Sequence, residues 1–257
     1  MQISKVLSYL DKEFPKDTAC DFDQNVIGLT IGSNSIELKK VLFALDLTLE
    51  VCYEAKEKGA NLIITHHPFL FSPISKILFD TPQGKIIKFL CENDITTYSM
   101  HTNLDCAVGG VNDTLCDMLA IKYEHEESQK NDILRYGDIK ECTINDLVNL
   151  VKEKFDLKNV RYIGDLNTKV KKVGIVGGSG AQISSINDAI KAKLDCYITG
   201  EVKLSNAIYA KQMGLNIIEV NHGIERFAFL PLKEKLEKEF GDIFIISEIN
   251  TDPLMCV

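Results

Sequence analysis

The sequence predicts an α/β protein with mainly parallel sheets, and three observations lead to this prediction. Short apolar runs typical of buried strands alternate with stretches of helical periodicity, as they do in right-handed βαβ units. The 257 residues are 45% hydrophobic and 26% charged, which is typical of globular proteins and excludes collagen-like and wholly disordered chains. This length allows one large domain or two small ones.

In the first half of the chain, hydrophobic spacing predicts the elements in order. A helix at 2–14 is followed by a stretch at 21–33 in which Gly28 and Gly32 mark turns or close backbone approach. The pattern then predicts strands at 39–47, 61–65 and 95–99, and helices at 48–60, 84–94 and 111–120.

The polar stretch 121–142 breaks this alternation, and a domain boundary or an exposed connection is expected there. The alternation then resumes, with Thr143 as the predicted N-cap of the next helix. The pattern predicts helices at 143–155, 182–194, 203–214 and about 222–239, and strands at 171–178, 195–199, 215–220 and 242–249.

Charge and composition narrow the function classes. The net charge of −8 disfavours non-specific binding to nucleic acid. No apolar run approaches the roughly 20 residues that cross a bilayer, and the N-terminal stretch lacks signal-peptide features, so the cytoplasm is the expected location. The eight cysteines are scattered without a CxxC motif, which predicts reduced, mostly buried thiols.

Four of the five histidines follow predicted strands, where open parallel sheets place their ligand sites. His66 and His67 follow strand 61–65, and their adjacency suits two metal ions, the alternative being surface or capping histidines. His101 follows strand 95–99 and His222 follows strand 215–220. The fifth, His125, lies in a charged run and is assigned no role.

Carboxylates accompany the two later histidines. Asp105, four residues after His101, is either a hard oxygen ligand or a residue of a helix cap or Asx-turn. Glu225, three residues after His222, shares a helix face with it, or else sits in a first helical turn because the helix dipole favours it. Imidazole and carboxylate ligands without sulfur suit Zn, Mn, Fe, Co or Ni.

Two further strand ends carry weaker signals. The GGSG segment at 177–180 either cradles an anion at a helix start or forms a plain strand-to-helix turn. In the ITGEVK segment, Glu201 is a candidate general base or a group that supports a ligand, and the alternative is a surface ion pair with Lys203.

These segments occur in the order found in the NIF3-like family, also known as GTP cyclohydrolase I type 2 homologues. The resemblance rests on THHPFLF, HTNLD followed by GGVND, GGSG, ITGEVK and NHGIERFAF, and DQNVIGLTIG resembles a further family stretch. It spans about residues 3–250 and matches the family's short form, which lacks a central insert.

The resemblance implies two α/β domains with mainly parallel, partly mixed sheets. The expected domains are 1–125 plus 230–257 and 126–229, with a dinuclear metal site between them. The resemblance also implies two divalent metal ions per subunit and self-association into a homohexamer.

Carried over by motif, the expected metal ligands are His66, His67, Asp105, His222 and Glu225. His66 and His67 would bind different ions, and Glu225 would bridge the two. In the family the glutamate usually follows the histidine by four residues, whereas here the spacing is three and Asn221 replaces a small residue.

The resemblance also implies roles for the two remaining candidate residues. His101 matches a motif histidine and is expected to support a ligand or to shuttle protons, and Glu201 is the second candidate for moving protons.

The leading hypothesis is a metal-dependent hydrolase that acts on a nucleotide-like or other C–N or P–O substrate. GTP is implied by the family name only. The alternative is a non-enzymatic metal-binding regulatory or adaptor protein that acts as an oligomeric ring. A DNA-handling ring is a third hypothesis, which the net charge of −8 disfavours.

Overall fold

The computed structural model describes residues 1–123 and 132–254. The chain forms two compact units, Met1–Leu104 with Phe229–Pro253 and Asp105–Ala228 with Leu254–Val257. The predicted domain boundary between residues 125 and 126 falls outside the described residues and stays a prediction, and His125 lies outside them too. Among the helices described, none has both the length and the apolar character needed to cross a membrane.

The described elements alternate along most of the chain, as predicted. The helices are α1 (Ile3–Glu13), α2 (Leu49–Glu57), α3 (Pro82–Glu92), α4 (Thr102–Cys106), α5 (Val111–Met118), α6 (Ile144–Lys154), α7 (Ile183–Lys191), α8 (Leu204–Gln212) and α9 (Phe229–Phe240). The strands are β1 (Gly28–Ile31), β2 (Val41–Ala44), β3 (Leu62–Thr65), β4 (Thr96–Ser99), β5 (Lys122–Tyr123), β6 (Arg135–Thr143), β7 (Arg161–Ile163), β8 (Lys169–Val176), β9 (Cys196–Thr199), β10 (Asn216–Glu219) and β11 (Phe244–Ile246).

The first unit contains a sheet in the order β1-β4-β3-β2-β11. Its neighbouring strands are parallel except for β1, which runs antiparallel to β4. All four residues of β2, β3 and β4 are buried, so these strands carry the core. On β2, the ring of Phe43 stacks on Phe229 at 5.5 Å and on Phe244 at 6.0 Å, which fastens α9 and β11 to this core.

The second unit contains a sheet in the order β5-β6-β8-β9-β10-β7. Strands β8, β9 and β10 are parallel, whereas β5, β6 and β7 are attached in antiparallel pairs. A buried cluster that includes Ile186, Ala210 and Ile217 packs α7 and α8 against this sheet. The predicted α/β fold with mainly parallel, partly mixed sheets is therefore confirmed.

Local sequence signals explain where several helices begin. The hydroxyl oxygen of Thr48 accepts from the backbone N–H of Val51 and caps α2. Thr143, the predicted N-cap, forms a reciprocal capping box with Asp146 at the start of α6. Helix α1 buries Ile3 and the other apolar residues of its stripe, as the helical spacing predicts.

The expectation of a boundary or exposed connection at 121–142 was incomplete, because β5 and most of β6 lie there. Strand β6 is rich in charged residues and pairs antiparallel on both sides, so exposed positions interrupt its apolar pattern. The buried Arg135 begins this strand and donates to Asp113 and to the carbonyl of Cys106, at 2.6 Å each. Strand β7 also escaped prediction, since three residues are too few to show a period.

The predicted helix at 222–239 is two segments. A 3₁₀ helix runs over His222–Ala228, and α9 begins at Phe229. In the HTNLD segment, Thr102–Cys106 forms the short helix α4, which the hydrophobic pattern did not predict. The cysteines are largely buried, as expected, and burial raises the pKa of the Cys196 thiol to about 12, although Cys91 is exposed.

Glu54 on α2 anchors the segment that follows β11. Its carboxylate accepts from the backbone N–H of Glu248 at 2.9 Å and from the hydroxyl of Ser247, and it pairs with Lys58 at 2.9 Å. Burial opposes ionisation of Glu54, but these hydrogen bonds outweigh it and hold the pKa of the carboxyl below its usual value of 4.5.

Because the pKa of Glu54 is lowered by folding, its contribution to stability is complete above the unfolded pKa and is lost as pH falls through the folded pKa. We expect Glu54→Gln to lower the free energy of unfolding by about 1–3 kcal/mol near neutral pH, with a smaller deficit at acid pH. Urea unfolding at several pH values measures this. Glu57→Gln, an exposed position on the same helix, is the control, and an equal pH dependence of both variants would contradict the assignment.

Candidate metal centre

One edge of the first unit's sheet gathers the polar side chains of that unit's candidate site. The parallel strands β2, β3 and β4 end at this edge, and Asp46, His66, His67 and His101 follow directly after them. Strand β1 is antiparallel to β4, so its first residue pairs with the last residue of β4 and the preceding segment, with Asp23, reaches the same edge. This is where open parallel sheets place their ligands.

Three histidine rings form a cluster at this edge. One ring nitrogen from each of His66, His67 and His101 lies within 4.8 Å of the other two. The ring centroids are 5.0 Å apart for His66 and His67, and 5.2 Å and 5.6 Å from these to His101. His66 is only 1% exposed. The structure therefore brings the predicted adjacent pair together with His101.

The hydrogen bonds of His66 and His67 define their tautomers. The Nδ1 of His66 lies 2.9 Å from the carbonyl oxygen of Met100, which only accepts hydrogen bonds, so Nδ1 carries the proton. The Nδ1 of His67 likewise donates to the carboxylate of Asp46 at 2.7 Å. In a neutral imidazole, Nε2 then keeps its lone pair and is the nitrogen that can bind a metal ion.

His101 follows the same rule with Asp23 as its acceptor. Its Nδ1 lies 2.9 Å from the Asp23 carboxylate, which is fully buried and also accepts from the N–H and the hydroxyl of Thr102. Burial raises the pKa of Asp23, but the hydrogen bonds from His101 and Thr102 prevail and hold that pKa below its usual value of 3.8. Asp23 is thus an ionised acceptor.

The second unit carries its own cluster of candidate ligands. The Nδ1 of His222 lies 3.0 Å from Oε1 of Glu201, and its Nε2 lies 3.3 Å from Oε2 of Glu225, so both ring nitrogens face a carboxylate oxygen. Asp105 and Glu225 are both nearly buried, and their carboxylate oxygens lie within 4.8 Å of each other. Glu201 thus lies at the Nδ1 side of His222, the position that Asp46 and Asp23 have beside their histidines.

The shortened spacing between His222 and Glu225 matches the local helix type. Both residues lie in the 3₁₀ helix His222–Ala228, which has about 3.0 residues per turn and eclipses side chains at i and i+3. Glu225 also lies in the first turn of this 3₁₀ helix, as the alternative of a first-turn glutamate expects, so the two interpretations describe the same position. For Asp105, the helix-cap alternative is wrong, because Gly110 is the N-cap of α5.

The glycines of the GGSG segment make room for this cluster. A Cβ on Gly178 would lie 2.4 Å from Oε1 of Glu225 and 3.0 Å from Nε2 of His222, and a Cβ on Gly177 would lie 2.9 Å from Cγ of Glu225. Gly178 also has a positive φ of 59°, a conformation that is unfavourable for residues with a Cβ. The segment is a strand-to-helix turn whose glycines allow the close approach of Glu225.

The nitrogen and oxygen atoms that the two clusters offer as ligands suit divalent transition-metal ions. Imidazole nitrogens backed by carboxylate or carbonyl acceptors are the arrangement found around zinc and related ions, and carboxylates supply hard oxygen ligands. Sequence reasoning missed the acceptors Asp23 and Asp46. Asp46 follows the strand that neighbours β3 in the sheet, which is the signal that points to it.

Three comparisons with known proteins agree with this reading of the fold. The family model described as Duf34/NIF3 (NGG1p interacting factor 3) matches residues 1–253. A Clostridium perfringens protein named "GTP cyclohydrolase 1 type 2 homolog" is 38% identical over 264 residues, which cover 98% of each chain.

Solved structures give the same result. A Bacillus cereus protein described as related to NIF3 superposes with a TM-score of 0.91 at 25% identity, covering 100% of this chain and 99% of its own. The Staphylococcus aureus protein SA1388 superposes with a TM-score of 0.90 at 31% identity, with the same coverage.

We expect Gly178→Ala to displace the Glu225 carboxylate and the His222 ring, because the added Cβ overlaps both. Gly214→Ala is the control, since Gly214 also has a positive φ but a Cβ there meets no atom within 4 Å. Backbone strain should lower the free energy of unfolding of both variants by about 1–2 kcal/mol. The free energy of unfolding of Gly178→Ala should fall further because of the contacts of its Cβ. Urea unfolding and the ring resonances of His222 in ¹H–¹⁵N spectra measure this, and equal behaviour of the two variants would refute the contact.

Proposed function

The chain belongs to the Duf34/NIF3 family, and on this premise we propose that it binds divalent transition-metal ions and hydrolyses a nucleotide-like or other C–N or P–O substrate. One observation carries the metal-binding part. Each of the three histidines described in the first unit donates through Nδ1 to an oxygen acceptor, which directs Nε2 towards a metal ion.

The proposed ligands form one group in each unit. They are His66 and His67 in the first unit, and Asp105, His222 and Glu225 in the second. We propose two ions per chain, since the adjacent pair presents two separate rings and the second unit adds two carboxylates. When bound, such ions polarise the attacked group and lower the pKa of a bound water.

The chain's own residues have further proposed roles. His101, held by the ionised Asp23, contributes a ring nitrogen to the histidine cluster, and we propose that it accepts or donates a proton there. Glu201 orients the ring of His222. The name of the Clostridium perfringens relative makes GTP the first substrate to test. The homohexamer and the cytoplasmic location stay predictions, which light scattering and cell fractionation would measure.

We expect the purified chain, stripped with chelator and titrated with Zn²⁺ or Mn²⁺, to bind two ions. The double variant His66→Ala/His67→Ala should weaken binding by about 100-fold or more, because it removes two imidazole ligands outright. Isothermal titration and elemental analysis measure affinity and stoichiometry.

The matched control is His125→Ala, which removes a histidine to which the sequence assigns no role. Tight binding that survives the double variant would refute the ligand assignment. A stoichiometry of one would refute the proposed count while leaving metal binding intact.

For the hydrolase part, we expect the metal-loaded chain to turn over GTP or another nucleotide. Asp105→Ala should lower the rate by at least about 100-fold because it removes an oxygen ligand near Glu225. Loss of guanine absorbance and release of phosphate measure ring opening and P–O cleavage.

Asp138→Ala is the control, because Asp138 is an exposed carboxylate on β6 that pairs with Lys171. Full metal loading with no turnover of any nucleotide or phosphoester would refute the hydrolase, and the non-enzymatic metal-binding alternative would then replace it.

A further inference from the structure

Thr251 contacts the histidine cluster through two hydrogen bonds in series. Its hydroxyl donates to Oδ2 of Asp46 at 2.5 Å, and the other carboxylate oxygen of Asp46 accepts the Nδ1–H of His67 at 2.7 Å. The two oxygens of Asp46 are thus divided between Thr251 and His67. These three residues, which we name the Thr251 relay, lie within the first unit.

The order of the strands explains why the Thr251 relay exists. In the sheet, β11 lies beside β2 and β2 beside β3, all three parallel. The carboxyl ends of adjacent parallel strands meet at one edge, so the segments that follow β11, β2 and β3 are neighbours. Each contributes one member of the relay, although Thr251 and Asp46 are 205 residues apart in sequence.

We propose that Thr251 is a positioning residue of the metal site, which acts through Asp46 to fix the ring orientation and tautomer of His67 and so raises metal affinity. The proposal rests on the proposed metal-binding function. It adds to that site a positioning residue from the C-terminal segment. Acceptors behind ligating histidines typically contribute about tenfold to 100-fold in affinity, and their own partners contribute less.

The Thr251 bond is not needed to hold the C-terminal segment in place. Ser247 and the backbone N–H of Glu248 are already fastened to Glu54, and the backbone N–H of Ser247 donates to the carbonyl of Phe43 at 2.7 Å. The segment is therefore anchored several residues before Thr251. This separates the anchoring of the segment from the positioning of Asp46.

Asp46 needs an anchor because its side chain is 40% exposed. A partly exposed carboxylate has several rotamers and can exchange the histidine for water. The hydroxyl of Thr251 bonds to Oδ2 of Asp46 while His67 bonds to Oδ1, which favours the rotamer in which Asp46 accepts from Nδ1. Without it, the His67 ring samples both orientations and both tautomers, and fewer molecules present Nε2 to a metal ion.

The test compares Thr251→Val, which removes the hydroxyl but keeps the shape, with Thr251→Ser, which restores it. Zn²⁺ affinity is measured by competition titration, and the tautomer of His67 in the metal-free chain by long-range ¹H–¹⁵N spectra. We expect Thr251→Val to weaken Zn²⁺ binding about threefold to tenfold and to shift the His67 ring resonances, and Thr251→Ser to behave as the unsubstituted chain.

The control is Ser247→Ala, which removes a hydroxyl from the same segment that binds Glu54 instead of Asp46. It should lower the melting temperature and leave Zn²⁺ affinity unchanged. Unchanged affinity in Thr251→Val, or an equal loss in Ser247→Ala, would overturn the proposal. If the unsubstituted chain binds no Zn²⁺, the proposed function fails, and unchanged His67 resonances in Thr251→Val would separately overturn the relay.

Discussion

A neutral imidazole has one proton to donate, and each of the three histidines described in the first unit donates it through Nδ1 to an oxygen. The acceptors are the carbonyl of Met100 and the carboxylates of Asp46 and Asp23. This single choice determines which nitrogen keeps its lone pair. Everything proposed for the chain depends on it, because the opposite tautomer would present an N–H, which cannot bind a cation.

The sheet of the first unit explains how such acceptors come to lie behind the histidines. Parallel strands end at one edge, so a residue that follows one strand can support a residue that follows the next. Asp46 supports His67 in this way, and Asp23 reaches the edge because β1 runs antiparallel to β4. The second unit repeats the principle with Glu201 after β9 and His222 after β10. The strand order thus determines which residues lie behind the candidate ligands.

The strands of the parallel core could be predicted because they are continuous apolar runs. Once the ends of these strands were predicted, the histidines that follow them could be identified as candidate site residues. It could not predict Asp23, which lies 78 residues from His101 in a turn-rich stretch whose path depends on tertiary contacts. Strand β6 was missed because its charged residues obscure any apolar period, and β7 because it is too short. The sequence therefore predicted those strands that are buried along their whole length, and it missed strands whose residues are partly exposed or too few.

The 3₁₀ helix at His222–Ala228 has a consequence for how motifs are defined. The tighter winding of this helix brings Nε2 of His222 to 3.3 Å from Oε2 of Glu225. The two residues are three apart in sequence, whereas the motif that this segment resembles has a spacing of four. A spacing of three residues together with 3₁₀ winding thus leaves the two side chains on one face. A motif search with a fixed gap would reject this chain at that position, while a search that couples gap length to helix type would accept it.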